Sequence, residues 1–114
     1  MRNLFRKLLS YWLIRKAHRE LDKAIILAED LFRTNNRRYY VLPDTKHRLH
    51  VLSWSQIKQM RAQGIFSSQA KEIDFIRESF YYTPSKIEKE FMKPDTKEKK
   101  RNLWIEYFKA YRLD

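Results

Sequence analysis

One segment reads clearly as β and is flanked on both sides by helical patterns: Arg37–Ser53, RRYYVLPDTKHRLHVLS. Residues 38–42 and 48–52 are rich in β-branched, aromatic and leucine side chains. Between them, Pro43-Asp44-Thr45-Lys46-His47 is turn chemistry, since proline presets φ and aspartate bonds its own backbone two residues on. With period-two alternation, Tyr39, Val41, Leu49 and Val51 share one face, while Arg38, Tyr40, Leu42, Arg48, His50 and Leu52 share the other. The first set is a plain core face. The second mixes cations, rings and leucines. A lone hairpin is marginal in water, so the flanking helices must cover at least one face.

The preceding stretch, residues 2–34, contains no proline or glycine. From Ile14 onward, Ala17, Leu21, Ala24, Ile25, Ala28, Leu31 and Phe32 recur on one helical face. Before that, Leu4, Phe5, Leu8, Leu9 and Trp12 lie on a face turned by about half a rotation, at 100° per residue. One straight helix cannot pack both stripes on one core. Either the chain breaks near Leu13 to His18, or the first dozen residues serve another contact: an oligomer partner, a larger assembly or a lipid interface. Asn35-Asn36 closes this helix.

After the hairpin, Ser53 stands three residues before Gln56, a capping-box spacing. Gly64 is placed to end that helix in a left-handed turn, with Ile65 reaching back to Met60. A further helix is expected from Ser67-Ser68, carrying Ala70, Ile73, Ile76 and Phe80. These two helices do not form a DNA-reading pair, because residues 69–79 are net negative. Phe80-Tyr81-Tyr82-Thr83 can add a third strand. Thr83-Pro84 is expected to open a helix running to about Met92, with Ile87 and Phe91 on one side. Lys93-Pro94 interrupts, and Asp95 with Glu98 caps a last helix to about Arg112. Its stripe is Leu103, Trp104, Tyr107, Phe108 and Tyr111. The expected architecture is α+β: a long N-terminal helix, broken or not, a central antiparallel hairpin or three-stranded sheet, and short C-terminal helices. Residues 1–19 form a basic amphipathic segment and residues 20–114 one small domain.

The formal net charge of +11 falls unevenly, with six cations and no anion in residues 1–19. Such an excess favours polyanionic partners: nucleic acid, an acidic protein or an anionic membrane face. Three basic patches stand out. The first is Arg2, Arg6, Lys7, Arg15, Lys16 and Arg19. The second is Arg37, Arg38, Arg48, Lys58 and Arg61, with Tyr40 and His50 interleaved. The third is Lys97, Lys99, Lys100 and Arg101, which reads as the solvated start of the last helix. The middle patch is the candidate nucleic-acid surface, with arginines for phosphates and Tyr40 for base stacking. Leu4, Phe5, Leu8, Leu9 and Trp12 are the candidate partner-binding residues, for a protein partner, a second copy or, with less support, a membrane surface.

Catalytic chemistry is not written in the sequence. A single glycine excludes a glycine-rich phosphate cradle, and the absence of cysteine excludes disulfides, thiolate metal sites and a cysteine nucleophile. His47 and His50 diverge across a turn, so no metal site is expected. No carboxylate pair or activated serine stands out, and neither an enzyme nor a cofactor is expected. No apolar run spans a bilayer. The N-terminal run is interrupted by Ser10 and Arg15-Lys16 and lacks a cleavage site, so it reads as part of the mature protein, not a secretion signal.

The motifs RRYYVLPDTKHRLHVLS and SFYYTPS resemble those of small proteins of crAss-like tailed phages of gut Bacteroidales. The matching residues are Tyr39, Tyr40, Val41, Pro43, Tyr81, Tyr82, Thr83 and Pro84, within about residues 20–84. The resemblance implies a phage protein acting in the virion or the host cytoplasm. It carries no catalytic residues.

Overall fold

The computed structural model describes residues 2–88 and 90–112, with the side chains of residues 2–6 and of Arg112 outside that description. Helix α1 spans Arg2–Asn35 without a break. At 1.5 Å per residue its 34 residues measure about 51 Å, against a longest molecular dimension of 54 Å. Of the two alternatives posed by the rotated stripes, the continuous helix is the one found. No proline, glycine or bulge supplies a kink. Asn36 ends the helix with φ of 56°, its N–H donating to the Phe32 carbonyl.

Strands β1 (Tyr39–Pro43) and β2 (Leu49–Ser53) form the hairpin, with Val41 opposite Val51. At its tip the Asp44 carboxylate accepts the backbone N–H groups of Lys46 and Arg48. His47 takes the left-handed position, φ 63°. Strand β3 (Tyr81–Tyr82) pairs antiparallel with β1, giving the order β2-β1-β3.

Helix α2 (Trp54–Ala62) begins at a complete capping box: Gln56 N–H donates to Ser53 Oγ, and Ser53 N–H to Gln56 Oε1. It ends as a Schellman turn at Gly64, φ 81°, with Ile65 N–H bonded to Met60 O and Gly64 N–H to Arg61 O. Helix α3 is only Glu72–Glu78. Of the expected stripe, Ala70 and Ile76 pack on the same core as Phe75, and Ile73 and Phe80 do not. Phe75 is the buried residue of α3, Ile73 is exposed, and Phe80 belongs to the other side of the sheet.

Thr83-Pro84 opens no helix: none is found among the described residues between 83 and 93, and Ile87 is 92% exposed. The threonine that was expected to cap a helix has another task. Its hydroxyl accepts the Tyr39 N–H at 2.8 Å, extending the β1–β3 pairing beyond the strand. The second Xaa-Pro pair does what the first was expected to do: Pro94 opens helix α4 (Pro94–Arg112), where its missing N–H is no loss.

Helices cover both faces of the sheet. On one, α1 and α4 run antiparallel, since Trp104 meets Ala17 while Arg101 reaches back to Asp22 and His18. Ala17, Ala24 and Ala28 keep α1 thin where the Trp104 indole, Phe108 and Tyr81 pack. Trp104 Nε1 donates to the Ala17 carbonyl at 2.8 Å. On the other face Tyr40 and Leu42 pack with Ile57 of α2 and Phe75 of α3. Each face carries one tyrosine whose hydroxyl donates to a glutamate on the covering layer: Tyr81 to Glu29 and Tyr40 to Glu72. Burial, reinforced by the neighbouring carboxylate, raises both phenols well above their ordinary pKa.

Candidate interaction surfaces

The middle basic patch does not assemble as a stacking platform. Tyr40 is fully buried and bonded to Glu72, so it presents no ring face to a base. Its place on the mixed face misled because alternation gives the face of a side chain, not what covers that face. Arg38 is held inward by a bond from Nε to the Thr83 carbonyl, by an ion pair with Glu88 and by the Tyr82 ring beneath it. Arg61 bonds the Ala70 carbonyl at 2.7 Å and lies over Trp54, clamping the α2–α3 connection. These three residues are structural.

The remaining members are exposed: Arg37, Arg48, His50 and Lys58. Arg48, just before β2, and His50 on it meet Lys16 and Lys23 of α1 across an open groove of about 630 Å³. Glu20, Ala24, Leu27, Leu49 and Val51 complete its lining. Arg37 borders a smaller hollow further along the same side, with Leu31, Val51, Ser53 and Gln59. Lys58 lines neither. His50 Nε2 pairs with Asp44 Oδ2 at 2.7 Å. Backbone N–H donation from Arg48, then the His50 bond, lowers the Asp44 pKa to about 2. His47 turns to the opposite side, bonded to Tyr107 and stacked on Tyr111. Among the described residues no three metal-ligating side chains converge.

The N-terminal stripe is the second surface. Packing of α1 on the core starts at Leu13 and Ile14. Before them the helix projects as an arm of about 16 Å, eleven residues at 1.5 Å each. Its apolar side chains are open: Leu8 52%, Leu9 49%, Tyr11 58% and Trp12 58% exposed. Leu4 and Phe5 lie on the same helical face by register, and their side chains fall outside the described residues. Arg15 sits over both the Tyr11 and Trp12 rings, at 5.7 and 5.9 Å, closing the apolar patch with a cation. No helix among the described residues is long and apolar enough to cross a membrane.

Of the third patch, Lys100 is not solvated. It is buried, and its ammonium donates to the carbonyls of Ile76, Arg77 and Ser79, capping the C-terminal end of α3. Burial lowers its pKa. Nothing in KEKKR separates this lysine from its neighbours, because its partners lie more than twenty residues away in the chain. Arg101 likewise ties α4 to Asp22. No protein family, curated protein or solved structure matches the chain.

Proposed function

We propose that this protein is a non-enzymatic accessory subunit that docks on an acidic protein partner through the projecting arm of α1. The observation that carries this reading is the exposed Leu8, Leu9 and Trp12 face on a continuous helix, directed away from the core, with Tyr11 open beside it. An apolar helix face of this kind fits a hydrophobic groove, with anchors at helical spacing. Charge selects the partner. Residues 1–19 hold six cations and no anion, so two arms side by side repel each other, whereas an acidic groove neutralises them. Under the resemblance to crAss-like phage proteins, the receiving assembly is a virion or a phage complex in the host cytoplasm.

The test uses the full chain and a Leu8→Glu/Trp12→Glu variant, whose altered residues lie outside the core. The wild type should recover an acidic protein that, once purified, forms a defined complex by analytical ultracentrifugation, and the variant should not. A wild-type dimer abolished by the variant, or sedimentation with anionic liposomes in place of a protein, contradicts the reading. A nucleic-acid function through the middle patch is the competing expectation. It predicts oligonucleotide binding that falls steeply with salt and is lost in Arg37→Glu/Lys58→Glu.

A further inference from the structure

The two edges of the sheet are built differently. Strand β3 is two residues long, with Lys97 and Lys100 over its rings. Strand β2 is five residues long and forms the opposite edge. Its free side can be worked out from the ladder. Phe80 and Thr83 donate their N–H groups to Val41 and Tyr39 carbonyls, both at 3.0 Å. Tyr39 and Val41 thus turn their backbone groups to β3. Backbone polar groups alternate sides along an antiparallel strand, so Tyr40 and Leu42 turn theirs to β2, opposite Leu52 and His50. The Asp44 N–H bond to the Arg48 carbonyl continues that pattern. Leu49 and Val51 therefore direct their N–H and C=O groups outward, into the groove beside α1. Ser53, next in the series, has its N–H taken by Gln56.

An open edge of this kind is a template for another strand. The walls say which strand. Lys16 and Lys23 border it on α1, Arg48 just before β2 and His50 on it, and Arg37 stands further along the same side. Glu20 is the one carboxylate among the groove's described lining residues. Leu27, half-exposed, offers an apolar contact between the cations. No tyrosine, tryptophan or phenylalanine lines the groove, its one ring being His50, which is held by Asp44, and backbone donors and acceptors spaced for a β ladder match a polypeptide better than a phosphate chain.

We propose that the β2 edge binds an extended acidic segment of another polypeptide, which adds as a fourth strand beside Leu49–Val51 with its carboxylates on Lys16, Lys23 and Arg48. This site is separate from the α1 arm. Main-chain pairing supplies the affinity and the flanking side chains the selectivity.

The test uses the full chain and a short blocked peptide of Glu-Glu-Val repeats, which carries carboxylates on both faces of a strand, with the matching Lys-Lys-Val peptide and a single-stranded oligonucleotide as comparisons. In NMR hydrogen exchange the acidic peptide should slow the Leu49 and Val51 amides of the wild type, while the lysine peptide leaves them unchanged. Lys23→Glu/Arg48→Glu should weaken binding by roughly tenfold or more, as for loss of complementary charge pairs. Val51→Pro removes an outward N–H while leaving the β1 pairing and the charges in place, and should also abolish binding. Leu8→Glu/Trp12→Glu should leave it intact. The proposal is overturned if the acidic peptide leaves the two amides of the wild type unprotected, if a folded Val51→Pro variant binds as well as wild type, or if the oligonucleotide binds in this groove more tightly than the peptide.

Discussion

Over Ala17, Leu21, Ala24, Ile25 and Ala28, α1 buries a stripe beneath α4 and the sheet; over Leu8, Leu9 and Trp12, the same helix leaves its apolar side chains about half exposed on the opposite side. Backbone, pitch and helix propensity are shared by the two parts. What differs is the phase of the apolar pattern. The inner part is in phase with the domain and is held by tertiary packing, the usual source of helix stability in proteins. The arm is out of phase by about half a rotation, so no bending of an unbroken helix brings it onto the core. An apolar stripe in this phase is not packed by the fold; under the proposed function it is the docking face.

The contrast can be attacked first through tryptophan, because the helix pair carries one of each kind. Trp104→Ala removes a fully buried indole and its bond to Ala17 and should destabilise the protein by about 3–5 kcal/mol in urea unfolding. Trp12→Ala should change stability by less than about 0.5 kcal/mol, as expected of an exposed site. Comparable losses for the two would erase the distinction between packed helix and free arm.

Lys100→Met comes next. It removes the donor to three carbonyls at the end of α3 and should lower stability by roughly 2 kcal/mol, within the range for charged hydrogen bonds. Chemical denaturation measures it, and the arm should be indifferent. Thr83→Val leaves the buried Tyr39 N–H without its partner and should cost about 1–2 kcal/mol. Amide exchange at Tyr39 should accelerate while residues of the arm are unchanged.

Much of the packed half was legible in the residues. The hairpin register, the Ser53–Gln56 box and the Gly64 turn each depend on partners within a few positions, so spacing alone specifies them. The rotated stripe of α1 was legible for the same reason. What the sequence concealed is long-range. Thr83 and Lys93 each precede a proline, and only the third strand, bonded through Thr83 Oγ to Tyr39, decides which pair opens a helix. Tyr40 alternates as any outward tyrosine does until α2 and α3 fold over it. The edge groove joins Lys16 and Lys23 to Arg48 and His50, residues split by the whole of the inner helix and β1.

The smallest expected effect concerns the hairpin tip, which is neither core nor arm. Asp44 has its pKa lowered from 3.8 to about 2, so its contribution to stability is complete above about pH 4 and is lost as pH falls toward 2. Asp44→Asn should flatten stability against pH in that window, read by circular dichroism, and leave the neutral-pH helix content unchanged.

The claim that the arm exists for docking is tested most directly by one titration. The acidic protein recovered with the wild type is titrated with wild-type chain and with Leu8→Glu/Trp12→Glu under identical conditions, with both chains shown to unfold at the same urea concentration. The account predicts saturable binding for the wild type and at least a hundredfold weaker binding for the variant, on the order of 3 kcal/mol for two anchor side chains. Equal affinities for two equally stable chains would contradict it.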